Sequence, residues 1–502
     1  MKILLVYPQC PDTFWSFKHA LKFVSKKASF PPLGALTVAA MLPQEWEKNL
    51  VDMNVNALKD EDIRWADYVF ISAMVVQKES AKEVIQRCNS LGTKVVAGGP
   101  LFTTEPEAIS GIEHLILNEA EVTLPLFLAD LSNGSPKMKY STEVHPPITQ
   151  TPVPLWSLIN MNKYSSMNLQ YSRGCPFNCE FCDITFLDGN IPRTKTSQQV
   201  LTEMESLYKA GWRGDLFFVD DNFIGNKKKL KEETLPVIIN WMRKNNHPFS
   251  LFTEVSVNLA DDEELMQLMG QAGFNKVFVG IETPNTASLN ECDKKQNTHR
   301  DLIASVKTLQ NRGFEVMGGF IVGFDNDSPA IFKTQINFIQ KSGIVTAMVG
   351  LLNAPQGTRL YQRLKGEKRL VKESTGDNTD FSLNFIPRMK RETLIDGYKE
   401  ILNTIYSPGH YYARIKTLLQ EYHPRTKSFS LHSKRWNIQG FLNCMWFMGI
   451  RENGRRYYWR LVASTLFTMP KSFPLLIALS IYGYHFRRVV RKYVGATDTA
   501  MV

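Results

Sequence analysis

The chain has 502 residues, 43% of them hydrophobic and 22% charged, with a formal net charge of +10. That length exceeds what one core usually supports, so two to four domains are expected, and the composition excludes a long disordered tract. Seven cysteines, four scattered singly at Cys10, Cys88, Cys292 and Cys444, exclude a disulfide framework and suit a reducing compartment.

Residues 1–8 are too short and too soon interrupted for a signal peptide, and they read as a first buried strand in a cytoplasmic protein. Apolar runs at 3–7, 50–53, 68–74, 95–97 and 115–117 alternate with helical patterns at 33–42 and 81–91. Such alternation predicts a doubly wound parallel sheet over residues 1–132, an α/β, Rossmann-like domain with its ligand at the carboxyl ends of the strands. Ser72, Ala73, Gly98, Gly99 and Pro100 end two of these strands, where backbone could approach a large flat ligand.

Residues 133–164 are rich in proline and turn formers and are expected to be a linker. Over 165–365 the alternation resumes, with strands expected at 169–172, 216–219, 249–254, 276–280, 316–322 and 347–352. Six units suit a partial TIM-type (β/α)6 barrel, whose chemistry lies at the carboxyl ends of its strands. From 366 to 502 the pattern is mainly helical, with periodic stretches at 392–405 and 411–422. The longest apolar run there, 472–484, has 13 residues and includes Pro474, short of the ~20 that span a bilayer.

After the first barrel strand come Cys175, Cys179 and Cys182, spaced CxxxCxxC. Three thiolates can hold three corners of a 4Fe-4S cube and leave one iron open, the mark of a catalytic centre. A zinc knuckle lacking one ligand and coincidence are the other readings. CxxxCxxC with an aromatic, Phe181, before its last cysteine resembles the radical S-adenosylmethionine (SAM) superfamily. The resemblance extends to Phe217-Phe-Val-Asp-Asp-Asn-Phe223, Thr253-Glu-Val-Ser256, Val279-Gly-Ile-Glu-Thr283 and Gly318-Gly-Phe-Ile-Val-Gly323. It implies that the open iron chelates the amino and carboxylate groups of SAM, and that one electron cleaves SAM to a 5'-deoxyadenosyl radical. Phe181, Asp220, Asp221, Asn222, Glu254, Ser256, Glu282 and Gly323 are then the expected SAM-binding residues.

With the first domain included, the chain resembles the cobalamin-dependent branch of that superfamily, on Phe30-Pro-Pro-Leu-Gly34, Ala97-Gly-Gly-Pro100 and Asn118-Glu-Ala-Glu121. This adds cobalamin, as methylcobalamin, and makes Ser72, Ala73, Gly98, Gly99, Pro100, Glu119 and Glu121 its expected contacts. No Asp-x-His-x-x-Gly occurs, so a histidine ligand below cobalt is not expected, and His19 reads as an ordinary helix residue. Thr13-Phe-Trp-Ser-Phe17, Val51-Asp-Met-Asn-Val55, Ala354-Pro-Gln-Gly-Thr358 and Tyr482-Gly-Tyr-His-Phe486 narrow the resemblance to the group that contains the hopanoid C-2 methylase. The implied activity is radical methylation of an unactivated carbon in a hopanoid or related polycyclic lipid, with a reductant such as flavodoxin or ferredoxin. A non-methylating cobalamin-dependent radical enzyme, forming rings or oxidising, and a non-catalytic iron-sulfur or cobalamin sensor are the alternatives.

Residues 434–493 hold eleven Lys or Arg against one acid, Glu452, a surplus equal to the charge of the whole chain. Interleaved Trp436, Trp446, Tyr457, Tyr458, Trp459 and Tyr482 suit an anionic lipid surface, so peripheral contact with the inner membrane face is expected. A solvated basic face is the competing reading. No RNA-binding module is recognisable, which disfavours nucleic acid.

Overall fold

The computed structural model describes residues 1–377, 379–423 and 434–499, with the side chains of 434–437, 439 and 495–499 outside the description. Six strands, β1 (Lys2–Tyr7), β2 (Glu47–Asp52), β3 (Tyr68–Ser72), β4 (Lys94–Gly98), β5 (His114–Ile116) and β6 (Lys139–Tyr140), form a parallel sheet in the order β2-β1-β3-β4-β5-β6. The residues of β1 and β3 are buried on both faces because helices cover both sides, as their unbroken apolar runs require. Strand order reverses between β1 and β3, which opens a crevice at their carboxyl ends.

The segment expected to be a linker is not wholly irregular. Lys139 and Tyr140 extend the sheet beside β5, and the Tyr140 hydroxyl donates to Asp130 at 2.9 Å. Two residues flanked by proline and polar runs carry too little periodicity to read as a strand.

A second parallel sheet has the order β14-β13-β12-β11-β10-β7. Its strands are β7 (Ser166–Leu169), β10 (Gly214–Phe218), β11 (Phe249–Val255), β12 (Phe274–Glu282), β13 (Glu315–Val322) and β14 (Ala347–Leu351). The edge strands β7 and β14 do not pair with each other, so the sheet is an open, curled half barrel with helices on its outer face. A short antiparallel pair, β8 (Ser172–Arg173) and β9 (Arg193–Thr194), frames the cysteine loop. The single strand expected over 169–172 is thus split. The Asp220 carboxylate accepts from the backbone N–H groups of Tyr171 and Ser172 and turns the chain out of the sheet.

Of the C-terminal region, the described residues of 367–390 are irregular, with one bridge between Leu370 and Phe385, and those from Arg391 onward are helices joined by short turns. The region seals the half barrel's far edge: the hydroxyls of Tyr398 and Tyr406, on helix Arg391–Tyr406, donate to the carbonyls of Val349 and Ala347 at 2.9 and 2.6 Å. An otherwise open strand edge is thereby covered. Residues 473–484 lie in helix Phe473–Thr499 and Ser472 in the turn before it, with Leu476 and Leu479 fully buried against the core. No helix among the described residues is long and apolar enough to cross a membrane.

The two ends of the chain meet. Phe14 stacks on Phe486, with ring centroids 4.2 Å apart at 5°. Trp15 donates its ring N–H to the Met348 sulfur at 3.1 Å and packs edge-on against Phe278 inside the barrel. These are the Thr13–Phe17 and Tyr482–Phe486 motifs of the sequence, and together they close the amino-terminal side of the barrel.

Candidate active site

The carboxyl ends of the two sheets face each other across a cavity of about 900 Å3. The first sheet lines it with Cys10, Ser72, Ala73, Gly98, Gly99 and Pro100, and the half barrel with Asn168, Gln170, Arg173, Val219, Asp221 and Asp188. Small residues at the sheet end are required by packing. A Cβ on Gly98 would lie 2.6 Å from the Ile116 carbonyl oxygen, and Gly99, at φ +92°, already sits against Ser72 and Ala73. The resulting flat floor fits the broad face of a corrin ring, and no histidine lines the cavity among the described residues.

Asn118-Glu-Ala-Glu121 lines the same cavity and also reaches across it. Glu119 and Glu121 are buried and face the barrel: Arg173 binds Glu119 at 2.8 Å and Glu121 at 2.9 Å. Arg193 and His145 also engage Glu119, at 2.8 and 3.0 Å, and Thr151 donates to Glu121 at 2.5 Å. These acids join the two sheets through the strands that bracket the cysteine loop. Arg173, Arg193 and His145 went unrecognised in the sequence, because their partners lie 26 to 74 residues away.

Cys175, Cys179 and Cys182 occupy the loop between β8 and helix Ile184–Asp188, all as free thiols. Burial raises each of them above the ordinary thiol range. Among the described residues, the one set of three His, Cys, Asp or Glu ligand atoms within 4.8 Å of one another is Asp12, His19 and His485, so the three sulfurs are spread more widely. A single zinc ion, with Zn–S bonds of about 2.3 Å, would hold its thiolates about 3.8 Å apart. Three thiolates, with no fourth cysteine or histidine within the loop, are the donor set of a cluster with one open corner. Cys292, buried nearby, donates its thiol to the Leu289 carbonyl and lies outside the loop.

Around the loop, Lys294 binds Glu282 at 2.6 Å and lies 6.0 Å above the Phe181 ring, and Gln296 donates to the Cys179 sulfur at 3.8 Å. Glu282 ends β12 at φ +63°, a left-handed conformation that costs of order 1–3 kcal/mol and is held by these contacts. Phe181 packs edge-on against Phe324, beside Gly323 at φ +107°. Lys294 and Gln296 also escaped the sequence reading, since a lysine and a glutamine in a polar loop carry no local signature.

The second- and third-strand residues divide into two kinds. Asp220 is buried and saturated by Tyr171 and Ser172, and burial lifts it to about 6. Asn222 accepts from the Ser256 N–H at 3.0 Å and ties the ends of β10 and β11 together. Asp221 and Glu254 have no described side-chain partner. Burial, then the carboxylates of Asp188 and Glu254, push Asp221 well above its usual range, and burial lifts Glu254 to about 7. Unpaired, half-buried carboxyls near the cysteine loop suit a cationic ligand such as SAM.

From the cavity two aromatic groups run into the barrel. Phe30 packs on Phe217 at 5.2 Å and Phe217 stacks on Phe252 at 4.7 Å and 10°, while Trp15, also at the cavity, packs separately on Phe278 at 5.3 Å.

Comparison with known proteins agrees with this architecture. The Radical SAM superfamily matches residues 169–339, a B12 binding domain matches 24–128, and a domain of unknown function, DUF4070, matches 358–498. An uncharacterized methyltransferase of Synechocystis is 39% identical over 99% of this chain and 94% of its own. The hopanoid C-2 methylase of Rhodopseudomonas palustris is 32% identical over 91% of this chain and 88% of its own. In fold, the cobalamin-dependent radical SAM enzyme OxsB superposes with a TM-score of 0.64 at 14% identity, covering all of this chain and 81% of its own. The methyltransferase TsrM of Kitasatospora setae gives 0.60 at 15% identity over 93% of this chain and 99% of its own. Fold and site together define a radical SAM enzyme built on a 4Fe-4S cluster, SAM and cobalamin. Within that class, the chain belongs to the cobalamin-dependent C-methyltransferase family that includes the hopanoid C-2 methylase.

Proposed function

We propose that this enzyme methylates an unactivated ring carbon of a hopanoid or closely related polycyclic lipid. The carrying observation is a pair of aromatic groups, Phe30 with Phe217 and Phe252, and Trp15 with Phe278, of which Phe30 and Trp15 line the inter-sheet cavity while the others lie on barrel strands. Such groups bind a rigid, apolar ring system by area and shape, with few polar contacts. The 32% identity to the hopanoid C-2 methylase over most of both chains supports the same substrate class.

In this reading Cys175, Cys179 and Cys182 hold the cluster, and Phe181, Glu282 and Gly323 line the SAM site. Asp221 and Glu254 offer carboxylates to SAM, while Asp220, Asn222 and Ser256 act by holding the strand ends in place. Ser72, Ala73, Gly98, Gly99 and Pro100 form the cobalamin floor, and Glu119 and Glu121 position the two sheets. When bound, the cluster with SAM supplies one-electron cleavage chemistry and cobalamin supplies a transferable methyl group. The chain's part is to hold the ring carbon between them and to exclude water with apolar and aromatic side chains.

The C-terminal helices support delivery from a membrane. Ile438, Leu442, Trp446 and Ile450 recur every fourth residue and are each more than half exposed, Phe467 is 89% exposed, and Arg451, Arg455, Arg456 and Arg460 are exposed beside them. Tyr458 and Arg487 are buried and Tyr482 is half-buried, so these three do not form that surface, and the side chain of Trp436 lies outside the described residues. Exposed apolar residues rimmed by arginine suit an anionic leaflet.

The substrate is tested by anaerobic expression in a hopanoid-producing host that lacks the methylase. Lipids heavier by one methylene on the hopanoid A ring support the proposal. Unchanged hopanoids, from cells whose enzyme still cleaves SAM, would assign the chain another substrate.

A further inference from the structure

We infer that Asp12, His19 and His485 form a second metal site, for a late first-row divalent cation of the zinc class, which staples the two ends of the chain. One ligand atom from each residue lies within 4.8 Å of those of the other two. His19 Nε2 is 3.1 Å from Asp12 Oδ2, a separation that serves equally for a hydrogen bond and for two ligands on one ion. His485 is wholly buried, its Nε2 is 2.9 Å from the Phe14 carbonyl oxygen, and its Nδ1 has no hydrogen-bond partner.

That last observation points to a ligand. A carbonyl at Nε2 selects the tautomer with its proton there, so Nδ1 keeps an unshared lone pair. Leaving such a nitrogen buried and unpaired costs about 1–3 kcal/mol, which coordination would offset. The surroundings are those of metal ligands as well: a backbone carbonyl orients one imidazole, and the Ser16 hydroxyl donates to the other carboxylate oxygen, Asp12 Oδ1, at 3.1 Å. Two imidazoles and one carboxylate favour zinc-like ions over calcium or magnesium, which prefer all-oxygen sites.

Location gives the site its purpose. Asp12 and His19 flank the Thr13–Phe17 turn, and His485 belongs to helix Phe473–Thr499; the Tyr493 hydroxyl of the same helix donates to Asp377 at 2.5 Å and lies 3.3 Å from the Asp12 carbonyl oxygen. The side chains of Asp12 and His19 are 14% and 25% exposed, which leaves room for water as a fourth ligand. None of the three lines the catalytic cavity, although Thr13–Ser16 between them do, so the ion would be structural and would hold one wall of that cavity in place.

The test uses full-length protein with its iron-sulfur cluster reconstituted, exposed to equimolar Zn2+, passed through gel filtration and assayed for zinc and iron separately. One zinc per chain is expected. His19→Ala, and independently His485→Gln, should lower zinc affinity by about tenfold or more, since even outer-shell changes cost that much, while leaving iron content unchanged. A chelator should lower the melting temperature of the wild type and not of the variants. Should His485→Gln fail to fold, the partly exposed His19→Ala carries the test. Zinc retained equally by wild type and variants, or no zinc retained at micromolar concentration, would overturn the site and leave only a His19–Asp12 ion pair.

Discussion

Arg173, two residues before the first cysteine of the loop, is bound by Glu119 at 2.8 Å and Glu121 at 2.9 Å, both from the opposite sheet. The position of the cysteine loop over the cavity therefore depends on charges buried between the sheets. Arg173→Met would leave the Glu121 carboxylate without a cation, while Glu119 keeps Arg193 and His145, and is expected to cost about 3 kcal/mol, read by denaturant unfolding under anaerobic conditions. Adding Glu119→Gln and Glu121→Gln should recover part of the loss. Additive effects would mean that the residues are not coupled.

Gly280 is small because its neighbours are close: a Cβ there would lie 2.4 Å from Glu282 Oε1 and 2.8 Å from Lys294 Nζ. Both atoms end flexible side chains, so Gly280→Ala should fold normally while displacing the Glu282–Lys294 pair. Equilibrium dialysis should show SAM binding about tenfold weaker, equivalent to ~1.4 kcal/mol. Unchanged affinity would remove Glu282 from the SAM site.

Glu254 gives a pH signature. Burial raises it to about 7, with Lys294 lowering it and Asp220 raising it. Below that value the free protein carries a neutral Glu254, and above it a carboxylate able to meet cationic SAM. SAM affinity should therefore strengthen as pH rises from 6 toward 7, by up to about tenfold per unit, and level off above. Glu254→Gln should abolish that slope, and a slope that persists would assign it to another group.

Alanine at Cys175, Cys179 or Cys182 should each eliminate cluster iron and 5'-deoxyadenosine formation. Cys292→Ser should leave both intact despite its closeness to the loop, because its thiol donates to the Leu289 carbonyl. Iron lost from the Cys292 variant would make it a ligand.

For the membrane surface, flotation with anionic vesicles should be salt-sensitive, and Trp446→Glu with Ile450→Glu should reduce it at least as strongly as Arg455→Glu with Arg456→Glu. Equal flotation on neutral vesicles would remove the electrostatic contribution.

Strand-helix alternation and the three-cysteine loop were legible because each depends on local pattern: buried parallel strands are continuous apolar runs, and a cluster's thiolates fall within one turn of chain. Carboxylate roles were much less so. Asp220, Asp221 and Asn222 are consecutive, yet only Asp221 faces the cavity, since side chains diverge where the strand becomes a turn. Glu119 and Glu121 do line the cavity, but nothing local marks Arg173 and Arg193 as their partners. His19 read as an ordinary helix residue, but it is paired with Asp12 and lies beside His485, 466 positions along the chain, a proximity that only the fold creates.

The most direct test counts products in a single anaerobic reaction containing the reconstituted enzyme, cobalamin, SAM, a reductant and a hopanoid lacking the C-2 methyl group. The account predicts S-adenosylhomocysteine and 5'-deoxyadenosine in equal amounts, matched by hopanoid methylated at C-2. Formation of 5'-deoxyadenosine with substrate consumed but no S-adenosylhomocysteine and no added methyl group would contradict it.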